Sequence, residues 1–428
     1  MPNLENTWYR RFLLITVYMV ESIITITTLS LFPLIFRDLG LDPRLYGVFG
    51  SISLLPMVFK FFIGPLSDKF PIPFLRGRRR GYIIIGAILN CVFLPFLSLN
   101  PTIFMALFFI CWFFQTLGIA TVDVITDALV VGGAKTIQHL KGRTGASLWI
   151  FLGIFLGGLF VFPFTIIFDK HTLNASAPVD LTTLMVMVII SVIGLVPLLL
   201  YIFLKEDSPA SNHSSILTDW RRNLRHPFVR MGLLFAFLLF IDAGLLELTL
   251  EPFLAAEFML SKTEVVGTLW AVSLLGTILA FLGYFFIDRI KKNRLLMIIN
   301  TIYILPSLCL GIFILSHMIT LSIFFLLYGV FAFISGLSYV TYTGLFFDLS
   351  DPKAAGTMIA FFLSFGNLGM CVGIAIGGFL ASWMGVIYVV VAVICGLRLI
   401  PLGKIKIEDI KKTFYETENS FPNEQKEL

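Results

Sequence analysis

The sequence predicts an all-α polytopic membrane protein: twelve transmembrane helices in two pseudo-symmetric six-helix bundles. Three observations predict it. The 428 residues are 58% hydrophobic and only 13% charged, with mean hydropathy +0.94, whereas a soluble domain carries about 25% charged residues. The apolar residues fall in blocks long enough to cross a bilayer, which takes about 20 residues per helix. Polar landmarks recur along the chain at an offset of about 220 residues. The first observation leaves too little polar surface for a water-soluble enzyme, a nucleic-acid binder or a disulfide scaffold.

The first expected span, 12–36, carries Glu21 and Pro33 and is too long for the apolar core of a cleavable signal peptide. Spans 2 to 6 follow at 45–66, 81–99, 102–132, 145–168 and 182–204. The second holds Lys60, the fourth Gln115, Asp123 and Asp127, and the fifth Gly153, Gly157 and Gly158. Spans 7 to 12 are expected at 228–257, 263–287, 295–316, 319–347, 355–381 and 384–402. In the seventh, Pro252 is expected to kink or end the regular helix, because proline lacks an amide donor and clashes with the carbonyl four residues back. The fourth, seventh and tenth spans exceed the bilayer thickness, so they tilt or protrude. The five cysteines lie inside apolar blocks with no CxxC pair and read as small apolar filler. No metal or other cofactor is indicated.

Lys and Arg set the orientation, since cytoplasmic loops carry them in excess. With the N-terminus inside, 26 of the 31 fall on the inner side, four (Arg37, Arg44, Lys170, Lys262) fall outside and Lys60 lies within a span. Both termini are therefore expected in the cytoplasm. The chain divides into an N-terminal bundle (1–204), a polar cytoplasmic linker (205–227), a C-terminal bundle (228–403) and a charged tail (404–428). Asn174 begins a glycosylation sequon on an expected outer loop.

The repeat pairs Glu21 with Asp242, Pro33 with Pro252, Gly47 with Gly267, Asp68 with Asp288 and Asp127 with Asp348. It also pairs Gly153, Gly157 and Gly158 with Gly373, Gly377 and Gly378. Matching acids in separate settings at one register point to two copies of one bundle in the same orientation, the parallel repeat of rocking secondary transporters.

Charges within spans are costly and need a reason. Glu21 and Asp242 lie roughly 15 and 21 Å into their helices at 1.5 Å per residue, near the midplane. They are candidates for a proton-coupling or substrate site facing across the two halves, or for packing hydrogen bonds. Glu247 and Glu251 share a helix face toward the outer end, as cation attractors, an outer seal or a solvated vestibule. Asp123 and Asp127 are one turn apart near the inner end of span 4. Asp127 and Asp348 are read as an inner ion-pair gate with the Arg76–Arg80 loop, and Asp123 as part of the transport path. Lys60 either snorkels to the interface or pairs with one of these acids. Gln115, Asn90, Asn300 and Asn367 are neutral donors. Acids outnumber the single span lysine, which favours a neutral or cationic solute or a coupling role for the acids. The glycine rows of spans 5 and 11 have small-xxx-small spacing and predict close helix contact.

Gly64-Pro-Leu-Ser-Asp68-Lys-Phe followed by Arg78, Arg79 and Arg80 resembles the signature between spans 2 and 3 of the major facilitator superfamily. The resemblance implies an inner charge network of Asp68, Arg78–Arg80 and Asp127. The second copy keeps Asp288 and Arg289 but has Tyr284 at the glycine position, implying a weaker second gate. More finely, FIGPLSDKFPIPFLRGRRRGY and VDVITDALVV are similar to the branch of muropeptide permeases, acetyl-coenzyme A transporters and folate–biopterin transporters. SDPKAAGT with Asn367-Leu-Gly369 resembles its acetyl-coenzyme A and muropeptide members. Val122 stands where a Gln often precedes the first span 4 acid.

The expected function is secondary active transport of a small organic solute by alternating access, coupled to protons through Glu21 or Asp242. The expected partners are that solute, protons and the lipid bilayer, in a monomer of the plasma (inner) membrane if the source is prokaryotic; no nucleic acid is expected. A transporter-fold sensor or assembly factor without net flux is the alternative. ATP is not the expected energy source, because no GxxxxGK[ST] motif is present, and the scattered histidines give no catalytic set.

Overall fold

A computed structural model describes residues 7–70, 72, 80–132, 140–170, 176–198, 224–284, 290–350 and 355–406. Among these the chain is helical apart from turns, short loops and an isolated β-bridge between Leu99 and Val179. Eleven stretches are long and apolar enough to cross a membrane. The last, 47 residues from Met358 to Lys404, turns back at Ala381–Trp383. It forms two helices at the positions of the expected eleventh and twelfth spans.

The first half comprises α1 (Thr7–Ile26), α2 (Phe32–Asp38), α3 (Pro43–Val58), α4 (Lys60–Lys69), α5 (Arg80–Phe93), α6 (Met105–Gly132), α7 (Leu140–Lys170) and α8 (Leu181–Gly194). The second comprises α9 (Pro227–Glu247), α10 (Leu250–Glu257), α11 (Lys262–Tyr284), α12 (Lys292–Leu315), α13 (Leu321–Asp348), α14 (Ala355–Leu380) and α15 (Met384–Lys404). Local chemistry sets several starts. Asp42 accepts from Arg44 N (2.9 Å) ahead of Pro43, Asp180 from Thr183 N (2.7 Å), and the Thr320 hydroxyl from Ile323 N (3.3 Å), each satisfying an orphan amide of the first turn.

Spans 1 and 7 are both broken, at repeat-equivalent places. Span 1 widens into a π turn at Thr27–Leu31 between α1 and α2. Span 7 breaks at Leu248–Thr249 between α9 and α10. A proline has no amide to give the carbonyl four residues back. For Pro33 that carbonyl belongs to Leu29, inside the π turn, and for Pro252 to Leu248, at the break.

The outside of the bundle is apolar: Leu305, Ile312 and Leu326 are among many exposed large hydrophobics, as expected when lipid is the solvent. Inside, Phe32, Phe36, Phe108, Phe109 and Trp112 form an aromatic core in the first half. Glycines bring helices together as expected. A Cβ at Gly157 would lie 2.5 Å from Met19 O of α1, and one at Gly377 2.6 Å from Leu245 O of α9. Their neighbours Gly158 and Gly378 instead face the other half. Gly158 meets Trp270 of α11, and Gly378 meets Gly47 of α3.

The end of the bundle holding residues 7 and 404 is called here the terminal face, and the opposite end the far face. At the far face the halves are tied together. Lys262 Nζ lies 2.6 Å from Asp38. Asp169 accepts from the first amides of α11, Lys262 N (2.7 Å) and Thr263 N (2.8 Å), which also places a carboxylate at the positive end of that helix.

Candidate functional site

The structure gathers four predicted residues from three spans into one buried cluster in the first half. Lys60, first residue of α4, forms an ion pair with Asp123 of α6; the two are 6% and 4% exposed. The Tyr18 hydroxyl of α1 donates to Asp127 Oδ1 at 2.5 Å. Glu21, one turn along α1 from Tyr18, lies in Coulombic range of Asp123, Lys60 and Asp127. Tyr339 of α13 faces the same acids from the second half.

Lys60 compensates one of the three carboxyl groups. One oxygen of Glu21 and one of Asp123 are buried with no hydrogen-bond partner. Both residues line a cavity of ≈ 30 Å³ together with Val17, Asn90 and Ile119, enough for a water or two. Gln115 Nε2 donates to Asn90 Oδ1 at 2.8 Å and holds that amide at the cavity wall. An uncompensated acid in so buried a site takes up a cation or a proton, because leaving it charged and unpaired is costly.

Lys60 owes its place to a break in span 2. At Phe59 the helix is interrupted between α3 and α4. A continuous helix would join Phe61 N to Met57 O. Here Phe61 N donates to Ser364 Oγ (3.1 Å), and Met57 O accepts from Asn367 Nδ2 (3.1 Å). Both side chains belong to α14, in the other half. Asn367 is thus a bridge between the halves.

Three expectations are corrected by the geometry. Glu21 and Asp242 do not meet across the halves: Asp242 pairs with Arg398 of α15 at 2.5 Å. Arg398, counted among the 26 inner-side charges although it falls within the expected 384–402 span, is 1% exposed inside that span. Its donors are all used there, on Leu238 O, Leu239 O, Asn300 Oδ1, Cys395 Sγ and Asp242, which offsets the cost of burying the guanidinium. Asp127 belongs to the Tyr18–Glu21 cluster, while its repeat partner Asp348 pairs with Lys292 at 2.8 Å. The two therefore do not share one role.

Gly64 O accepts from Ser67 Oγ (2.6 Å). The side chain of Asp68, and all of Arg78, Arg79, Asp288, Arg289 and Asn174, lie outside the described residues, as does most of the linker; Arg80 begins α5. Glu247 and Glu251 lie apart from the cluster, at the break in span 7. Missed from sequence were Arg398, Tyr18 and Ser364. Arg398 sat inside the expected 384–402 block, and that position was its signal. The other two are ordinary span residues and gave none.

Apolar spanning helices in two repeated halves, with charges buried inside each half, define a multi-pass membrane transporter rather than an enzyme. The chain matches the Major Facilitator Superfamily family over residues 13–374 and again over 232–414; it belongs to that superfamily. No curated protein sequence matches it. Among solved structures it is similar to the human organic anion transporter MFSD10 (TETRAN), at 14% identity and TM-score 0.65, covering 92% of this chain and 99% of that one. It is also similar to a point mutant of the nucleoside transporter NupG, at 13% identity and TM-score 0.62, covering 93% and 99%.

Proposed function

We propose that the protein is a secondary active transporter of a small organic solute, working by alternating access and driven by protons taken up at the Glu21–Asp123–Lys60–Asp127 cluster. The observation that carries the reading is the pair of unpartnered carboxylate oxygens of Glu21 and Asp123 on one internal cavity. Tyr339 faces the cluster's acids from the opposite half, and Ser364 and Asn367 of that half bond the helix break that presents Lys60, so the protonation of the cluster and the relative position of the halves affect each other. The charge count argues for both termini in the cytoplasm, which makes the far face external and the closed far face an inward-directed arrangement. The loop and span 4 motifs point to the muropeptide, acetyl-coenzyme A and folate–biopterin branch for candidate solutes, and the reading takes the working unit as a monomer.

The test has two stages. A thermal-shift screen of purified protein against coenzyme A esters, pterins, muropeptides and organic cations finds the solute. Uptake into proteoliposomes is then measured with and without a pH gradient. Glu21→Gln with Asp123→Asn is expected to abolish the pH-driven component while the protein stays folded; full coupled uptake in that double variant overturns the assignment. Solute binding with no flux under any gradient would favour a sensor.

A further inference from the structure

Glu251 lies in the first turn of α10, beside the break in span 7, and is 6% exposed. Its surroundings come from both halves. The Ser30 hydroxyl, in the π turn of span 1, lies near its carboxyl group. Tyr46 of α3, Tyr328 of α13 and Tyr388 of α15 lie within Coulombic range. Glu247, at the end of α9, is the other acid nearby. The charged groups on the adjoining α2 and α11 sit at the far rim and are tied there: Arg37 and Lys262 to Asp38, and Glu264 to Ser261 N. No described basic side chain lies within ion-pair distance of Glu247 or Glu251.

Two buried polar atoms at this place are without partners, Glu251 Oε2 and the hydroxyl of Tyr388, which is 1% exposed. A buried carboxylate lacking a countercharge carries a desolvation penalty of several kcal/mol. A proton removes the charge and occupies no volume, which suits a side chain packed this closely. Glu251 is also enclosed by residues of both halves. Separating the halves at the far face would withdraw Ser30 and Tyr46 and admit water.

We propose that Glu251 is a second proton-binding site, distinct from the cluster around Glu21, whose protonated form is required for the halves to close at the far face. The inference rests on the alternating-access reading. It makes closure and proton uptake one event: the acid is loaded while hydrated and sealed neutral. By linkage, acid pH favours the closed far face and alkaline pH the open one.

The test needs neither solute nor flux. Spin labels at exposed Arg44→Cys and Met259→Cys report the spacing across the far face in full-length protein reconstituted in liposomes. The parent is expected to lengthen that spacing as pH rises, while Glu251→Gln stays short at every pH and Ser30→Ala opens at lower pH than the parent. Infrared titration should show a protonated-carboxyl band that Glu251→Gln removes and Glu21→Gln retains. A Glu251→Gln protein that opens with the parent's pH midpoint, a parent with no pH response, or a band lost in Glu21→Gln but kept in Glu251→Gln overturns the proposal. None of these results depends on whether pH-driven uptake is lost in the Glu21 and Asp123 variants, so the two readings fail separately.

Discussion

Lys60 and Arg398 each hold a buried carboxylate, but by different chemistry. Lys60 is a compact ammonium on one acid, so its effect is chiefly charge. Lys60→Met leaves Asp123 buried and unpaired and is expected to cost about 3–5 kcal/mol. Adding Asp123→Asn removes the stranded charge and is expected to recover most of that. Thermal melts of the two variants in detergent check it; equal losses would mean that packing, not charge, is at stake. Arg398 works as a planar fork reaching three carbonyl oxygens and a carboxylate, which a lysine cannot reproduce. Arg398→Lys should therefore melt well below the parent, whereas at Lys60 an arginine must fit a larger group into a closed site. The sequence marked Lys60, Asp123 and Glu21 because a charge in an apolar block stands out. It did not tell which acid takes the lysine, since that depends on how α1, α4 and α6 rotate against each other.

At the scale of helices, paired glycines divide their work by face. Gly157 and Gly377 pack within a half, and Gly158 and Gly378 between halves. Gly157→Leu forces α7 off α1 and is expected to destabilise the fold by about 1–3 kcal/mol or more, as overpacking does, read as a lower melting temperature. Gly378→Leu should leave each half folded yet hold the far face apart, read as faster labelling of a far-face cysteine. The glycine spacing was legible, because close approach needs small residues at helical period. The break in span 2 was not. Its two freed backbone groups, the amide of Phe61 and the carbonyl of Met57, are completed by Ser364 and Asn367 respectively, at sequence separations of 303 and 310. Ser364→Ala with Asn367→Leu is expected to favour a resealed helical turn, moving Lys60 off Asp123. A shifted infrared carboxylate signature of Asp123 would report it. The breaks in spans 1 and 7 were half legible: the prolines marked them, but whether the helix widens or stops was set by tertiary packing.

For the whole molecule, composition was enough to place the apolar helices, because lipid leaves few ways to satisfy a backbone. How the halves meet was not written in either copy alone. The far face is held by Asp38–Lys262 and by Asp169 on the start of α11. Asp169→Asn with Lys262→Ala is expected to raise far-face accessibility in labelling experiments. The effect should shrink in high salt for the parent, since such rim pairs are screened. The buried tie of the last helix has a different meaning. Asp242 enters the membrane with α9, but Arg398 follows only with α15, so a growing chain carries an uncompensated intramembrane acid through most of the second half's synthesis. The final helix then acts as a closing stitch. A chain that ends before it displays a ready signal for the quality-control machinery that removes unfinished membrane proteins.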